Sequence, residues 1–410
     1  MVPHEVLREL SLKTPSKIVF LMIDGLGGLP RIAGGLTELE TARRPNLNRL
    51  AAAPGTLLGL AEIVGPGITP GSGAGHLALF GYDPIRYSIG RGVLSAYGIG
   101  VEVGPEDVCI RGNFATLDEK GMVTDRRAGR LKTELCRELC ETLAAAVPRI
   151  EDVSIAYTAE RDYRFVARLR GPGLGERVTD TDPQKEGHKA LPALAQDPGS
   201  EKTARIVNLL TAKAETALRG RRPANGVLLR GFARRPALPS LPTLYGLKPA
   251  CVGTYPMYRG LAHLLGMDVL KTSEEEDLGV LARTVESHWD GYDFFFVHVK
   301  KADSHGEDGN FEAKVKVLEA VDRDLVPALM GLMPDVFVVT GDHSTPSIMK
   351  AHSWHPVPFL LHSKWVRRPS RAQEEFGETA CAAGLLGTFP AIHAMSHALA
   401  CAQKLAKFGA

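Results

Sequence analysis

The chain has 410 residues, more than the roughly 250–300 at which one hydrophobic core stops growing, so at least two domains are expected. It holds 49 lysines and arginines against 47 aspartates and glutamates, and its basic residues are dispersed. This balance argues against a nucleic-acid or membrane partner, so we expect the partner to be a small molecule. The composition is also compatible with a homo-oligomer.

Six widely spaced cysteines without a paired CxxC motif are typical of reduced thiols in the cytosol. The first residues, 1–5, lack the basic region and apolar run of a signal peptide. No stretch approaches 18 uninterrupted apolar residues. We therefore expect a cytoplasmic protein.

The N-terminal part begins with an apolar run, Ile18–Ile23, that predicts a buried strand and is followed directly by Asp24. A helical pattern covers 46–52. The glycine-rich segment 67–76 then places one serine, Ser72, at a predicted loop-to-helix junction, with the helix starting at about Gly73.

Ser72 is the candidate nucleophile. A serine hydroxyl is a weak nucleophile until a base or a metal ion activates it, and the flanking glycines let the backbone approach a phosphate. Free N–H groups at the start of the helix would stabilise the charge of a phosphoserine. The alternative is an ordinary helix N-cap. The segment lacks the lysine of a nucleotide P-loop.

Residues 105–240 have a different character, with several short strand-like pieces around glycine- and proline-rich turns and two helical patterns. They predict an inserted α+β cap domain, so the core domain, 1–104 and 241–410, would be discontinuous. Arginines here could hold a phosphorylated acid through the guanidinium fork. The candidates are Arg111, Arg130, Arg164 and Arg230, with Arg259 just beyond the insertion.

The C-terminal part alternates helical patterns with further apolar runs, Phe294–Val299, Val336–Thr340 and Val357–Leu361. Asp303 follows the first of these runs and Asp342 the second. Predicted helices cover 258–265, 278–288 and 311–330. The alternation predicts an α/β fold with a doubly wound core sheet, in which ligands bind beyond the carboxyl ends of the strands.

Carboxylates and imidazoles gather at these predicted strand ends. Divalent ions used in phosphoryl transfer favour carboxylates, with imidazole added for Mn²⁺ or Zn²⁺, and two ions about 3.5–4 Å apart can hold both the attacking and the leaving oxygen. Any one aspartate after a strand is as readily a helix cap or turn former, so the prediction rests on the set. The candidate ligands are Asp24, Ser72, Asp303, Glu307, Asp342, His343 and His352.

Several motifs resemble those of the cofactor-independent phosphoglycerate mutases, in particular their archaeal-type branch within the alkaline phosphatase superfamily. The motifs are Ile23-Asp24-Gly25, Thr69-Pro70-Gly71-Ser72-Gly73, Arg111-Gly112-Asn113-Phe114, Asp125-Arg126-Arg127-Ala128-Gly129-Arg130, Thr179-Asp180-Thr181-Asp182-Pro183, Thr340-Gly341-Asp342-His343-Ser344 and Ala351-His352. The resemblance covers nearly the whole chain.

The resemblance implies an alkaline-phosphatase-like core with an inserted cap. It also implies interconversion of 3-phosphoglycerate and 2-phosphoglycerate through a phosphoserine, without 2,3-bisphosphoglycerate. Two divalent ions would take part, Mn²⁺ by preference, with Mg²⁺, Co²⁺ and Zn²⁺ as alternatives. Ser72 would be the nucleophile and would share one ion with Asp24, Asp342 and His343, while Asp303 and His352 would hold the other.

One position departs from the family pattern, because Glu307 stands where a histidine is usual, and the nearby histidine is His305. Either side chain could be the ligand, and we expect Glu307. Rival functions on the same core are a metal-dependent phosphomonoesterase, a phosphosugar mutase and a phosphotransferase with a homoserine-like acceptor. A non-catalytic metal-stabilised binding protein is a fourth alternative.

Overall fold

The structure is a computed structural model that describes residues 2–87, 89–366 and 375–409. Its strands are β1 (Ile18–Ile23), β2 (Thr56–Glu62), β3 (Val108–Leu117), β4 (Val123–Asp125), β5 (Arg149–Ile150), β6 (Val153–Arg161), β7 (Arg164–Arg170), β8 (Gly226–Ala233), β9 (Pro249–Val252), β10 (Asp268–Val269), β11 (Phe294–Val299), β12 (Val336–Thr340), β13 (Val357–His362) and β14 (Gly387–Pro390).

The α-helices are α1 (His4–Leu10), α2 (Glu38–Thr41), α3 (Pro45–Ala52), α4 (Ser72–Leu79), α5 (Arg91–Gly98), α6 (Thr133–Ala146), α7 (Glu201–Ala217), α8 (Leu241–Tyr245), α9 (Pro256–Leu264), α10 (Leu278–Ser287), α11 (Lys301–Glu307), α12 (Phe311–Ala320), α13 (Val326–Gly331), α14 (Glu378–Ala382) and α15 (Ala394–Cys401). A π-helical turn, Val321–Leu325, joins α12 to α13.

The larger sheet has eight strands in the order β10-β9-β11-β1-β12-β13-β2-β14. Strands β10, β9, β11, β1 and β12 are mutually parallel, whereas β13 runs antiparallel to both of its neighbours. Every residue of β1, β11 and β12 is buried, so both faces of the sheet are covered there. The α/β fold class predicted from the sequence is confirmed.

The smaller sheet has six strands, in the order β4-β3-β7-β6-β5 with β8 also paired to β3. Its pairings are antiparallel. Apolar side chains of α6 and α7 pack against its strands in a separate core that includes Leu139, Leu143, Val207 and Leu210. This part is therefore an α+β structure with its own hydrophobic core.

The chain divides into two compact units. The first contains Met1–Ser88, Leu238–Tyr255 and Ala262–Ala410, and the second contains Ile89–Ala237 and Pro256–Leu261. The second unit includes α5, which lies ahead of the boundary at 105 that the sequence suggested. Helix α5 packs so closely on β3 that a side-chain carbon at Gly92 would lie 2.2 Å from the carbonyl oxygen of Cys109. The predicted domain bounds, 105–240, stay a prediction.

The predicted strands at Ile18–Ile23, Phe294–Val299 and Val336–Thr340 match the structure residue for residue. The predicted helix at 311–330 is interrupted by the π-helical turn just before Pro327, which has no backbone N–H to donate. Among the described residues, no helix is both long and apolar enough to cross a bilayer.

Candidate active site

The register of the central strands aligns their carboxyl ends. Ile23 of β1 pairs with Val299 of β11, and Met22 pairs with Thr340 of β12. The next residue along each strand is therefore brought to the same edge of the sheet. These residues are Asp24, Lys300 and Gly341, and Asp342 and His343 follow Gly341 directly.

A first group of side chains at this edge consists of Asp24, Asp342 and His343, all fully buried, with one donor atom from each within 4.8 Å of the others. His343 Nε2 lies 3.4 Å from Asp24 Oδ1 and 3.2 Å from Asp342 Oδ2. The adjacent residues Asp342 and His343 therefore serve one group together.

Ser72 belongs to this group, because its hydroxyl oxygen lies 3.0 Å from His343 Nε2. It is the first residue of α4, and Gly71 is the N-cap residue. The N-cap interpretation of Ser72 is therefore wrong. Helix α4 also contributes His76, whose Nδ1 lies 3.3 Å from Asp342 Oδ2.

A second group consists of Asp303, His343 and His352, again with donor atoms within 4.8 Å. His352 Nε2 lies 3.6 Å from Asp303 Oδ1. The rings of His343 and His352 are stacked with their centroids 3.6 Å apart. The two groups are thus direct neighbours.

Hydrogen bonds decide which nitrogen of each imidazole faces which group. The hydroxyl of Thr345 donates its one proton to Asp303 Oδ1, at 2.7 Å, so it accepts from His343 Nδ1–H at 2.9 Å. A neutral His343 therefore turns the lone pair of Nε2 toward Asp24 and Asp342, which assigns it to the first group. His352 Nδ1 donates to the carbonyl of Pro70, which leaves Nε2 for the second group.

Glu307 lies next to the second group. Its Oε1 is 3.7 Å from His352 Nε2, and its side chain is half exposed. Asp303 and Glu307 are four residues apart on α11 and so share one face of that helix. His305, two residues after Asp303, projects from a different side of the helix. This geometry favours Glu307 over His305 beside the second group.

Sequence reasoning did not single out Lys300. Its ammonium lies 3.2 Å from Asp24 Oδ2, donates to Asp303 Oδ2, and lies over the ring of Tyr255. It therefore links the two groups with a positive charge. Lys300 directly follows the apolar run of β11, as Asp24 directly follows that of β1. This position in the sequence is the pattern that could have identified it.

Burial and neighbouring charges shift the pKa values of all three residues of the first group. Burial raises the pKa of Asp24 well above its usual value, and the negative charge of Asp342 raises it further. Burial also acts to raise the pKa of Asp342, but His343 and His76 hold it well below its usual value. Burial lowers the pKa of His343, yet Asp342 and Asp24 raise it to about 9. A cation bound beside Asp24 and Asp342 would stabilise the ionised form of these buried carboxylates.

The donor set fits divalent metal ions. Each group combines carboxylate oxygens with an imidazole nitrogen whose second nitrogen is fixed by a hydrogen bond, as is usual for ligating histidines. Oxygen and imidazole donors together suit ions such as Mn²⁺ or Zn²⁺.

The second unit brings three of the five candidate arginines to one sheet. Arg111 of β3 pairs with Arg230 of β8, and Asn113, two residues along β3, pairs with Arg164 of β7. Because side chains two apart on a strand share a face, these arginines lie on the same face of the smaller sheet. Burial lowers the pKa of Arg230, and the charge of Arg111 lowers it further.

Like charges paired across strands destabilise a sheet unless an anion or an acid lies between them. Glu160 compensates part of this charge, since its carboxylate accepts a hydrogen bond from Arg111 Nε at 3.2 Å. Arg164 contacts the hydroxyl of Tyr163. Arg130 lies exposed in a turn after β4, and Arg259 is partly buried in α9. The substrate contacts of these arginines stay predictions.

The chain resembles known proteins over its full length. A family model described as 2,3-bisphosphoglycerate-independent phosphoglycerate mutase matches residues 52–224. Proteins named probable 2,3-bisphosphoglycerate-independent phosphoglycerate mutase are 50% identical over 406 residues in Thermus thermophilus and 48% identical over 410 residues in Deinococcus radiodurans. In both cases 99% of each chain is covered.

Two solved structures are similar to this chain over almost its whole length. The PH0037 protein of Pyrococcus horikoshii gives a TM-score of 0.81 at 27% identity, covering 97% of this chain and 100% of the other. A cofactor-independent phosphoglycerate mutase of Thermoplasma acidophilum gives 0.69 at 29% identity, covering 94% and 100%.

These relatives identify the chain as an enzyme of the phosphoglycerate mutase class, an isomerase that acts on a small phosphorylated substrate. The chain belongs to the 2,3-bisphosphoglycerate-independent phosphoglycerate mutase family.

Gly75 offers a test of how tightly α4 must approach the first group. A side-chain carbon at Gly75 would lie 2.0 Å from the backbone oxygen of Asp342. Gly75→Ala must therefore displace Ser72 or Asp342, and a shift of about 1 Å at a reacting group costs on the order of 100-fold in rate. We expect kcat for phosphoglycerate isomerisation to fall by about 10–100-fold.

The matched control is Gly65→Ala, because a side-chain carbon at Gly65 would meet no atom within 4 Å. This variant should retain kcat within about two-fold. Full activity of Gly75→Ala in the same assay would show that the approach of α4 to Asp342 is not needed.

Proposed function

We propose that the protein interconverts 3-phosphoglycerate and 2-phosphoglycerate through a phosphoserine at Ser72, with two divalent metal ions and without 2,3-bisphosphoglycerate. The observation that carries the proposal is the position of the Ser72 hydroxyl. It stands at the start of α4, 3.0 Å from His343 Nε2, beside two buried groups of metal-ligand type.

One ion would be held by Asp24, Asp342, His343 and Ser72, and the other by Asp303, His352 and Glu307. Bound there, the ions would supply Lewis acidity that favours the alkoxide of Ser72 and offsets the charge of the phosphate. Mn²⁺ is the ion we favour, because it accepts both carboxylate and imidazole donors. The half-exposed Glu307 is a harder donor than a histidine and supports Mn²⁺ or Mg²⁺ over Zn²⁺ at the second position.

The residues of the chain have distinct tasks in the proposed reaction. The Ser72 hydroxyl loses its proton and its oxygen attacks the phosphorus of 3-phosphoglycerate, so that a P–O bond to Ser72 forms, the bond to the 3-oxygen of glycerate breaks, and that oxygen takes up a proton. The glycerate then turns, its 2-hydroxyl loses its proton and attacks the same phosphorus, and the Ser72 oxygen leaves and regains a proton. Backbone N–H groups of α4 and the ammonium of Lys300 offer positive charge to the phosphoryl oxygens.

A mutase differs from a phosphatase in one respect, since it must retain glycerate while the phosphoserine exists. Arg111, Arg164 and Arg230 support this task because guanidinium groups bind carboxylate and phosphate oxygens in a bidentate manner. Arg130 and Arg259 are further candidates from the sequence. Retention by such residues, rather than a different metal site, would separate this enzyme from phosphomonoesterases.

Two further expectations accompany the proposal. The six cysteines are free thiols, which supports the cytoplasmic location that we propose. We also propose that the protein can form a homo-oligomer. A measurement of its molecular mass in solution tests this.

The function is tested by supplying purified protein with 3-phosphoglycerate and Mn²⁺, without 2,3-bisphosphoglycerate, and coupling the product to enolase. We expect isomerisation that EDTA abolishes, little free phosphate, and a loss of more than about 1,000-fold in Ser72→Ala because the nucleophile is absent. Free phosphate without isomerisation would instead indicate a phosphatase, and full activity of Ser72→Ala would contradict the proposed intermediate.

The assignment of Glu307 is tested by comparing Glu307→Ala with His305→Ala. Loss of a ligand should weaken Mn²⁺ binding and lower kcat by at least about 10-fold, as even outer partners of ligands have effects of that size. His305→Ala should stay within about two-fold of the parent, since His305 lies on a different side of α11. Mn²⁺ titration of both variants gives their affinities for the ion. Weaker binding in His305→Ala than in Glu307→Ala would make His305 the ligand.

The role of the arginines is tested with Arg230→Leu. Removal of a charged hydrogen-bond donor costs about 1.5–3 kcal/mol, so KM for 3-phosphoglycerate should rise by about 10–100-fold, with more phosphate released per turnover. Arg205→Ala is the control, because Arg205 is exposed and paired with Glu151 on the same unit. An unchanged KM and phosphate release in Arg230→Leu would remove Arg230 from the substrate site.

A further inference from the structure

A buried lysine lies behind the metal-ligand groups. Lys314, on α12, is fully buried, and its ammonium donates to the carbonyl oxygens of Gly27, at 3.0 Å, and Thr345, at 2.9 Å. Gly27 belongs to the loop that follows Asp24, and Thr345 belongs to the loop that contains Asp342 and His343. One side chain thus bridges the two loops that carry the first group.

The bridge stands where the loops already meet. The N–H of Thr345 donates to the same carbonyl of Gly27 at 3.0 Å, so that oxygen accepts from both Thr345 and Lys314. The side-chain hydroxyl of Thr345 contacts His343 Nδ1 and Asp303 Oδ1. A shift of the Thr345 backbone would therefore disturb ligands of both groups.

Two glutamates reinforce the same junction. Glu38, fully buried, accepts from the N–H of Leu29 at 3.2 Å through Oε2 and from the N–H of Ser347 at 2.7 Å through Oε1. Each oxygen of its carboxylate therefore holds one loop. Glu378 accepts from the N–H of Gly28 at 2.9 Å. Burial lowers the pKa of Lys314, whereas the charges of Glu38 and Glu378 act in the opposite direction.

We propose that Lys314 and Glu38 are positioning residues that fix the spacing between Asp24 and the Asp342-His343 pair and thereby set the affinity of the first metal site. The inference rests on the proposed function, since it presumes that this group binds a metal ion. Neither residue touches the reacting atoms in this scheme. Both act through the backbone of the two loops.

A buried lysine is not needed merely to hold two loops together. Replacing buried ions by apolar groups of similar volume is often neutral or stabilising, so a buried lysine that spans two ligand-bearing loops is better explained by the geometry it imposes. Backbone hydrogen bonds to a charged group are also stronger and more directional than neutral ones.

The test compares Lys314→Met with Lys404→Met. Lys404 is the matched control, because it is also buried in the first unit and donates to a backbone carbonyl, that of Thr14, and to the carboxylate of Asp293. Methionine keeps the length of the side chain but removes the ammonium in both variants. Mn²⁺ dissociation constants are measured on substrate-free protein by electron paramagnetic resonance of the free ion, together with the thermal midpoint.

We expect Lys314→Met to weaken Mn²⁺ binding by about 10–100-fold, as removal of partners behind metal ligands commonly does. Lys404→Met should lower the thermal midpoint but leave the Mn²⁺ constants within about two-fold. Unchanged binding in Lys314→Met, or equal weakening in Lys404→Met, would overturn the inference and reduce Lys314 to a general stabilising role.

Glu38→Gln is the second variant, which keeps the shape of the side chain and guards against a Lys314→Met protein that fails to fold. Glutamine has a single acceptor oxygen, so it can hold only one of the N–H groups of Leu29 and Ser347. We expect a loss of at least about 10-fold in Mn²⁺ affinity. Unchanged affinity would overturn the inference. Absence of Mn²⁺ binding by the parent protein would overturn the proposed function as well.

Discussion

The burial of several carboxylates at one edge of a parallel sheet is the constraint on which the rest of the site depends. Asp24, Asp303 and Asp342 are almost completely excluded from solvent, although an isolated buried carboxylate is strongly unfavourable. Lys300 supplies part of the compensating charge. Divalent cations would supply the remainder, so binding of metal and stability of the site are linked.

Hydrogen bonds at the same edge of the sheet orient the two ligand histidines. Thr345 fixes the proton on His343 Nδ1, and the carbonyl of Pro70 fixes the proton on His352 Nδ1. Both histidines therefore offer Nε2 to the ligand groups. Pro70 also immediately precedes Gly71 and Ser72, so the second group and the loop of the nucleophile are joined by one hydrogen bond. A displacement of His343 or of His352 would therefore shift the position of Ser72.

Much of this architecture could be predicted from the sequence, because the central strands are continuous apolar runs and each is followed closely by an aspartate. The arginines at 111 and 230 were singled out as candidates, but only the register of β3 and β8 shows that they are paired across strands.

Other residues could not be found in this way. Lys314 and Glu38 each join two loops that lie far apart in the chain, and their tasks arise from contacts across as many as 309 positions, as between Glu38 and Ser347. Thr345 is a loop residue of ordinary type, whose importance depends on the simultaneous positions of Asp303 and His343. No local sequence pattern predicts these contacts, because tertiary packing brings the residues together.

The most direct test of a two-metal centre is anomalous X-ray diffraction at the manganese absorption edge from crystals grown with Mn²⁺. Two peaks in each chain are predicted, one bounded by Asp24, Asp342 and His343 and the other by Asp303 and His352, with the Ser72 oxygen beside the first. A single peak, or peaks that lie away from these side chains, would contradict the two-metal centre and the activation of Ser72 that depends on it.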